Sequence, residues 1–172
     1  MDGNKVIKSI KDITLIAVMT TILFVQEQLL TNLPGIQLTV FLIVLYSKKF
    51  GLVKSAIIII LHVLLDNLYM SSFSLMYTPT MLFGWLIVPL TLCTFLKRIE
   101  SPILLAFLGV LYSFIYCWLY AIPNYLIMHI DPIAYIASDI IFEIIFATCS
   151  FLTILCLFNP CSKAIDLILK DK

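Results

Sequence analysis

Charge is what this sequence has least of. Only 12% of its 172 residues are charged, 62% are hydrophobic, and the mean hydropathy is +1.11. A soluble domain carries about a quarter charged residues, so that class is excluded. Disorder is excluded as well, because it needs low hydrophobicity. Glycine is scarce: Gly3, Gly35, Gly51, Gly84 and Gly109 are the whole set. No GxxxxGK[ST] occurs, and so few glycines build no phosphate cradle, so the chain does not itself hydrolyse ATP. HExxH and GxSxG are absent, and no Ser, His and Asp set forms a motif. No enzyme is expected. A net charge of +1 gives no electrostatic case for nucleic acid.

Cysteine is present without a pattern. Cys93, Cys117, Cys149, Cys156 and Cys161 include no CxxC pair. Four of them lie in apolar runs, where cysteine behaves as a small hydrophobe. No metal, cofactor or disulfide is expected from them, and His62 with Asp66 lacks a third ligand.

Long apolar runs are what the chain has in abundance. A transmembrane helix takes about 20 residues. The length therefore suits roughly five to seven spans in one polytopic membrane domain, 1–172, with no room for a soluble one. The opening, MDGNKVIKSIKDITLIAVMT, is basic and then apolar like a signal peptide. No small-residue cleavage site follows it, and the run ends in Gln26, Glu27 and Gln28, so it reads as a retained first span.

The basic residues divide the rest. They fall in four clusters: Lys5, Lys8 and Lys11; Lys48, Lys49 and Lys54; Lys97 and Arg98; Lys163, Lys170 and Lys172. Between them the expected helices are 13–30, 36–47, 55–70, 79–96, 102–121 and 133–158, with an amphipathic tail over 161–172 on the membrane surface. The second is short for a full crossing, and Pro34-Gly35 breaks the chain before it. Loops 31–36, 71–78 and 122–132 contain no Lys or Arg. Cytoplasmic loops carry the Lys/Arg excess. The fold class expected is thus an all-α integral membrane bundle of six spans in the cell membrane, with both termini cytoplasmic.

Polar groups inside spans are functional hypotheses, and here they crowd toward the lysine-free end. Span 1 ends in Gln26-Glu27-Gln28, and span 3 carries His62, Asp66 and Asn67. Tyr77 opens the turn into span 4, Trp85 lies about two turns further in, and Tyr112, Tyr116, Trp118 and Tyr120 belong to span 5. Asn124, Tyr125, His129 and Asp131 follow, then Tyr135, Ser138, Asp139 and Glu143. His62 with Asp66, and Asp139 with Glu143, share a helix face at i,i+4. No basic side chain is available at that depth, which fits an acidic, aromatic cavity for a small ring compound, neutral or cationic. Competing readings stand beside this one. Aromatics at span ends also serve as interface belts, and His62 and Asp66 also serve as interhelical hydrogen bonds.

The layout resembles the substrate-binding S components of energy-coupling factor (ECF) vitamin transporters. The likeness covers nearly the whole chain and rests on ITLIAVMTTILFVQ, PGIQLTVFLIVLYSKKFG, HVLLDN and YTPTMLFGWLIVP. That family docks an AxxxA motif of its first helix on a transmembrane T component. The matching residues here are Ala17 and Thr21, so the second Ala is replaced. The resemblance implies a binding subunit that captures a vitamin-like heterocycle outside and delivers it through the T component and two ATPase subunits. It implies a lid at Asn32, Pro34 and Gly35. A pocket from spans 4 to 6 would use Trp85, Tyr116, Asn124, Tyr125, His129, Tyr135, Asp139 and Glu143. Two other classes remain: a membrane scaffold or assembly subunit without a small ligand, and a solitary ion-coupled carrier.

Overall fold

The computed structural model describes residues 10–70 and 73–170. Lys5, Lys8 and the last two residues of the expected tail lie outside them. The described chain forms α1 (Ile10–Leu30), α2 (Thr39–Tyr69), α3 (Tyr77–Cys93), α4 (Pro102–Leu119), α5 (Ala121–Met128) and α6 (Pro132–Lys170). No strand occurs among the described residues. Four stretches are long and apolar enough to cross a membrane: α1, α2, α4 continued through α5, and α6. The shorter α3 is apolar as well, at 17 residues.

The line of α2 breaks at Gly51, whose φ of 77° and ψ of −179° are not helical. This backbone region is essentially open to glycine alone. Contacts with α1 define what the break does. Thr39 hydrogen-bonds Gln26, and the Tyr46 hydroxyl reaches the Met19 carbonyl lower on α1. After the break, Lys54 pairs with Asp12 near the foot of α1, His62 lies against Glu27, and Asp66 bonds Gln28. The chain thus descends alongside α1, turns at Gly51 and climbs again. Two expected helices, 36–47 and 55–70, are the two arms of α2, and the first helical residue is Thr39 rather than Ile36.

The same contacts gather the basic clusters. Lys48 Nζ donates to the Leu96 carbonyl at 2.9 Å, Lys49 pairs with Asp166 at 2.7 Å, and Lys54 pairs with Asp12 at 2.6 Å. These partners belong to the foot of α1, the turn after α3 and the end of α6. Lys48, Lys49, Lys54 and Lys97, scattered in sequence, therefore share one end of the bundle.

Other boundaries shift for local reasons. The expected helix 79–96 starts earlier, at Tyr77, and ends at Cys93. Span 102–121 ends at Leu119, and the expected loop 122–132 contains α5, whose third residue is Pro123. Proline suits a first helical turn, where its missing N–H is not needed. Helix α6 continues through Pro160 to Lys170, so the expected tail is an extension of the last helix and not a separate segment. Its start is capped by Asp131, whose Oδ1 accepts from the backbone N–H of Ile133 and Ala134, with Pro132 at the first helical position.

Small residues let the helices close up. A Cβ on Gly109 would run into Ile154 Cδ1, and Ser113 Oγ donates to Ser150 Oγ at 2.9 Å across the α4–α6 seam. Both features suit packing in lipid, where close approach and interhelical hydrogen bonds replace the hydrophobic drive. The outer faces are apolar: Phe107, Leu111, Ile141, Ile144 and Leu152 are all more than half exposed. Such a surface is unsuited to water and suited to acyl chains.

Candidate functional site

Polar side chains at the lysine-free end are tied together pair by pair. The run that closes α1 sends each residue to a different partner. Gln26 accepts from the Leu38 N–H and donates to Thr39 Oγ1, which fastens the start of α2. Glu27 Oε2 lies 3.0 Å from His62 Nε2. Gln28 Nε2 donates to Asp66 Oδ1 at 2.9 Å. His62 is fully buried, and its two ring nitrogens lack an aligned hydrogen bond, as does Glu27 Oε2. Buried polar atoms are nearly always satisfied, so this cluster is incomplete as it stands.

Above it lies a cavity of about 570 Å³, lined by Asp66, Asn67, Ser74, Tyr77, Met81 and Tyr120 together with Phe73 and Ile127. Its walls come from the top of α2, the start of α3, the end of α4 and α5. Asn67 is held by bonds to the Val63 carbonyl and from the Thr78 hydroxyl. Tyr77 donates to Asn124 Oδ1 at 2.9 Å, and Asn124 bonds the Tyr120 carbonyl. Tyr120 shares a hydroxyl bond with Tyr116 at 3.0 Å. Tyr116 in turn stacks on Trp85 with centroids 3.9 Å apart and an angle of 20°. This stack needs Gly84, because a Cβ there would lie 2.8 Å from the Tyr116 ring. Trp85 Nε1 is buried without a partner. Asp66 accepts only from Gln28, which leaves its second oxygen without a hydrogen bond among the described residues.

The expected pocket residues separate into three groups. Trp85, Tyr116 and Asn124 support the cavity wall from behind. Tyr125 is 53% exposed, and His129 is exposed on the α5 rim. Tyr135, Asp139 and Glu143 belong to α6, which contributes no residue to the cavity lining. Asp66, Asn67, Tyr77 and Tyr120 line the cavity and are polar residues of the sequence outside the expected pocket. Their signal was present: Asp66-Asn67 ends one apolar run and Tyr77 opens the next. Of the expected lid, Asn32 and Pro34 are exposed, and Gly35 is buried against Ile145 and the Phe142 carbonyl of α6 with a φ of 75°. The docking pair Ala17 and Thr21 is exposed on α1, with the Thr21 hydroxyl turned onto the Ala17 carbonyl.

His129 has a structural task. Its φ of 54° is left-handed, and its N–H closes α5 onto the Tyr125 carbonyl. Left-handed backbone costs an L-residue about 1–2 kcal/mol, which glycine avoids. His129→Gly is expected to raise stability by about 0.5–1 kcal/mol after glycine's extra unfolded-state entropy. Ligand affinity should stay within about twofold, about 0.4 kcal/mol, because His129 is not among the cavity's lining residues. A large loss of affinity in a binding titration would instead put the imidazole at the ligand.

A second cavity, about 680 Å³, opens at the lysine-rich end beside Lys48, Lys49, Lys97 and Glu100. Lys48 is committed to carbonyl oxygens and Lys49 to Asp166. The lysine-free cavity, with an acidic group in its lining and unsatisfied polar atoms beneath it, is the better candidate for a ligand. No protein-family model, no curated protein and no solved structure matches this chain.

Proposed function

We propose that the chain is the membrane-embedded substrate-binding subunit of an ECF-type importer, with its ligand in the cavity lined by Asp66, Asn67, Tyr77 and Tyr120. The single observation that carries this reading is that cavity, aromatic and acidic, at the end of the bundle without Lys or Arg. Aromatic walls with a few convergent polar groups suit a small heterocycle. Tyr77 and Tyr120 flank its ring. The free oxygen of Asp66 meets a positive charge or a ring N–H, and a cation over a tyrosine face gains about 0.5–2 kcal/mol. An anionic vitamin fits less well, because no Lys or Arg lines the cavity among the described residues.

Six antiparallel passes, the gathering of Lys48, Lys49, Lys54 and Lys97 at one end and the rule for basic loops support six crossings with both termini cytoplasmic. The exposed small pair Ala17 and Thr21 supports docking of α1 on a T component, because small residues allow close helix approach. ATP hydrolysis then belongs to the partner ATPases.

Uptake in cells tests the reading. Expressed alone, the chain should bind a water-soluble vitamin or precursor but not accumulate it. Accumulation should require a T component and its ATPases, and Ala17→Leu should reduce recovery of that complex severalfold with binding intact. Uptake by the chain alone in proteoliposomes would favour the solitary carrier. Stable partners with no ligand would favour the scaffold.

A further inference from the structure

The α4–α6 seam holds a cluster that the proposed cavity does not use. On α4, Tyr116 and Tyr120 turn toward α3, and the intervening Cys117 turns toward α6. There it meets Asp139 and Glu143, one helical turn apart. One donor atom from each of the three, a thiol sulfur and two carboxylate oxygens, lies within 4.8 Å of the others. Cys117 is 4% exposed and Glu143 1%. Trp118 Nε1 donates to Glu143 Oε2 at 3.1 Å, while Glu143 Oε1 is buried with no partner. No Lys or Arg occurs between residues 99 and 162 to neutralise this pair of acids.

The geometry points to a divalent transition-metal site of the zinc class, with Cys117 Sγ, Asp139 and Glu143 as ligands. Three arguments converge. Two ionised carboxylates in an apolar seam are costly unless a cation meets them, and no described residue forms an ion pair with them there. The donor set mixes sulfur with oxygen, which suits zinc or cobalt and suits magnesium or calcium poorly. The spacing is close to what a tetrahedral ion needs. Zinc bonds of about 2.3 Å to sulfur and about 2.0–2.2 Å to oxygen put donors about 3.3–3.7 Å apart. A side-chain closure of about 1 Å brings the cluster to that spacing. Trp118 has the part of an outer-shell partner, holding one carboxylate oxygen so that the other faces the ion. The fourth position is left for water or another donor. Such an ion would clamp α4 to α6, above the Ser113–Ser150 bond. This site stands independently of the proposed ligand cavity.

The test uses the full chain in detergent, stripped with a chelator and then titrated with Zn²⁺ or Co²⁺. The expected result is about one metal per chain by elemental mass spectrometry. Co²⁺ should give a thiolate-to-cobalt charge-transfer band, and bound Zn²⁺ should protect Cys117 from alkylation, read by peptide mass spectrometry. Trp118→Phe should weaken binding by about 10-fold or more with the band retained, as removal of an outer-shell partner does. Cys117→Ser should abolish the band, and Cys156→Ser, at an exposed thiol, should not. The proposal is overturned if neither metal binds, or if Cys117→Ser keeps both stoichiometry and band. Should Cys117→Ser fail to fold, the wild-type cobalt spectrum decides alone: Co²⁺ bound without a thiolate band also overturns it.

Discussion

Gly51→Ala is expected to destabilise the protein by about 1–3 kcal/mol, the usual cost of a side chain in a backbone region reserved for glycine. Nothing lies within 4 Å of the position an added Cβ would take, so the effect is free of steric clash. The sign is the informative part. Were residues 39–69 one continuous helix, Gly51 would be an interior helical glycine. Alanine there would stabilise by about 0.8–1 kcal/mol. Reversal and continuous helix therefore predict opposite shifts in the same thermal unfolding measurement. The antiparallel passes depend on this one turn. Without it His62 could not lie against Glu27, nor Asp66 bond Gln28, while Thr39 holds Gln26.

Asp66→Asn is expected to lower affinity for a cationic or N–H-donating ligand by about 30-fold, near 2 kcal/mol, the lower part of the range for losing one partner of a buried charge pair. Folding should be nearly unaffected. The asparagine carbonyl still accepts from Gln28 Nε2, and the side chain is isosteric. The change removes a charge rather than a contact, so a neutral ligand should lose less than a cationic one. Binding of the ligand released from the wild-type chain, compared between the two proteins by calorimetry, reads this directly. Unchanged affinity would remove Asp66 from the site.

The fold was legible to different depths in different places. Apolar runs and lysine spacing predicted helical passes and a common end for the basic clusters, because lipid exposure and charge leave one-dimensional traces. The contacts of Lys48, Lys49 and Lys54 agree with that trace. Helix α5 escaped because eight residues are too few for a periodic signal, and only Pro123 marked its start. The run of α6 through Pro160 escaped because proline ordinarily ends a helix. The site was legible as a list of polar residues and illegible as a selection. Asp139 and Glu143 were selected because i,i+4 carboxylates are conspicuous in sequence. Asp66 in α2, Tyr77 at the start of α3 and Tyr120 between α4 and α5 are far apart in sequence, and only tertiary packing brings them around one cavity. His129 also forms the left-handed stop of one helix, and Asp131 caps the next.

The most direct test of the binding-subunit account is mass spectrometry of small molecules released by denaturing the purified chain, taken before and after incubation with a panel of water-soluble vitamins and their precursors. The account predicts one aromatic, nitrogen-containing compound at close to one per chain, depleted in the Asp66→Asn protein. A wild-type chain that stays empty after incubation with the whole panel, or that holds the same compound equally after Asp66→Asn, would contradict it.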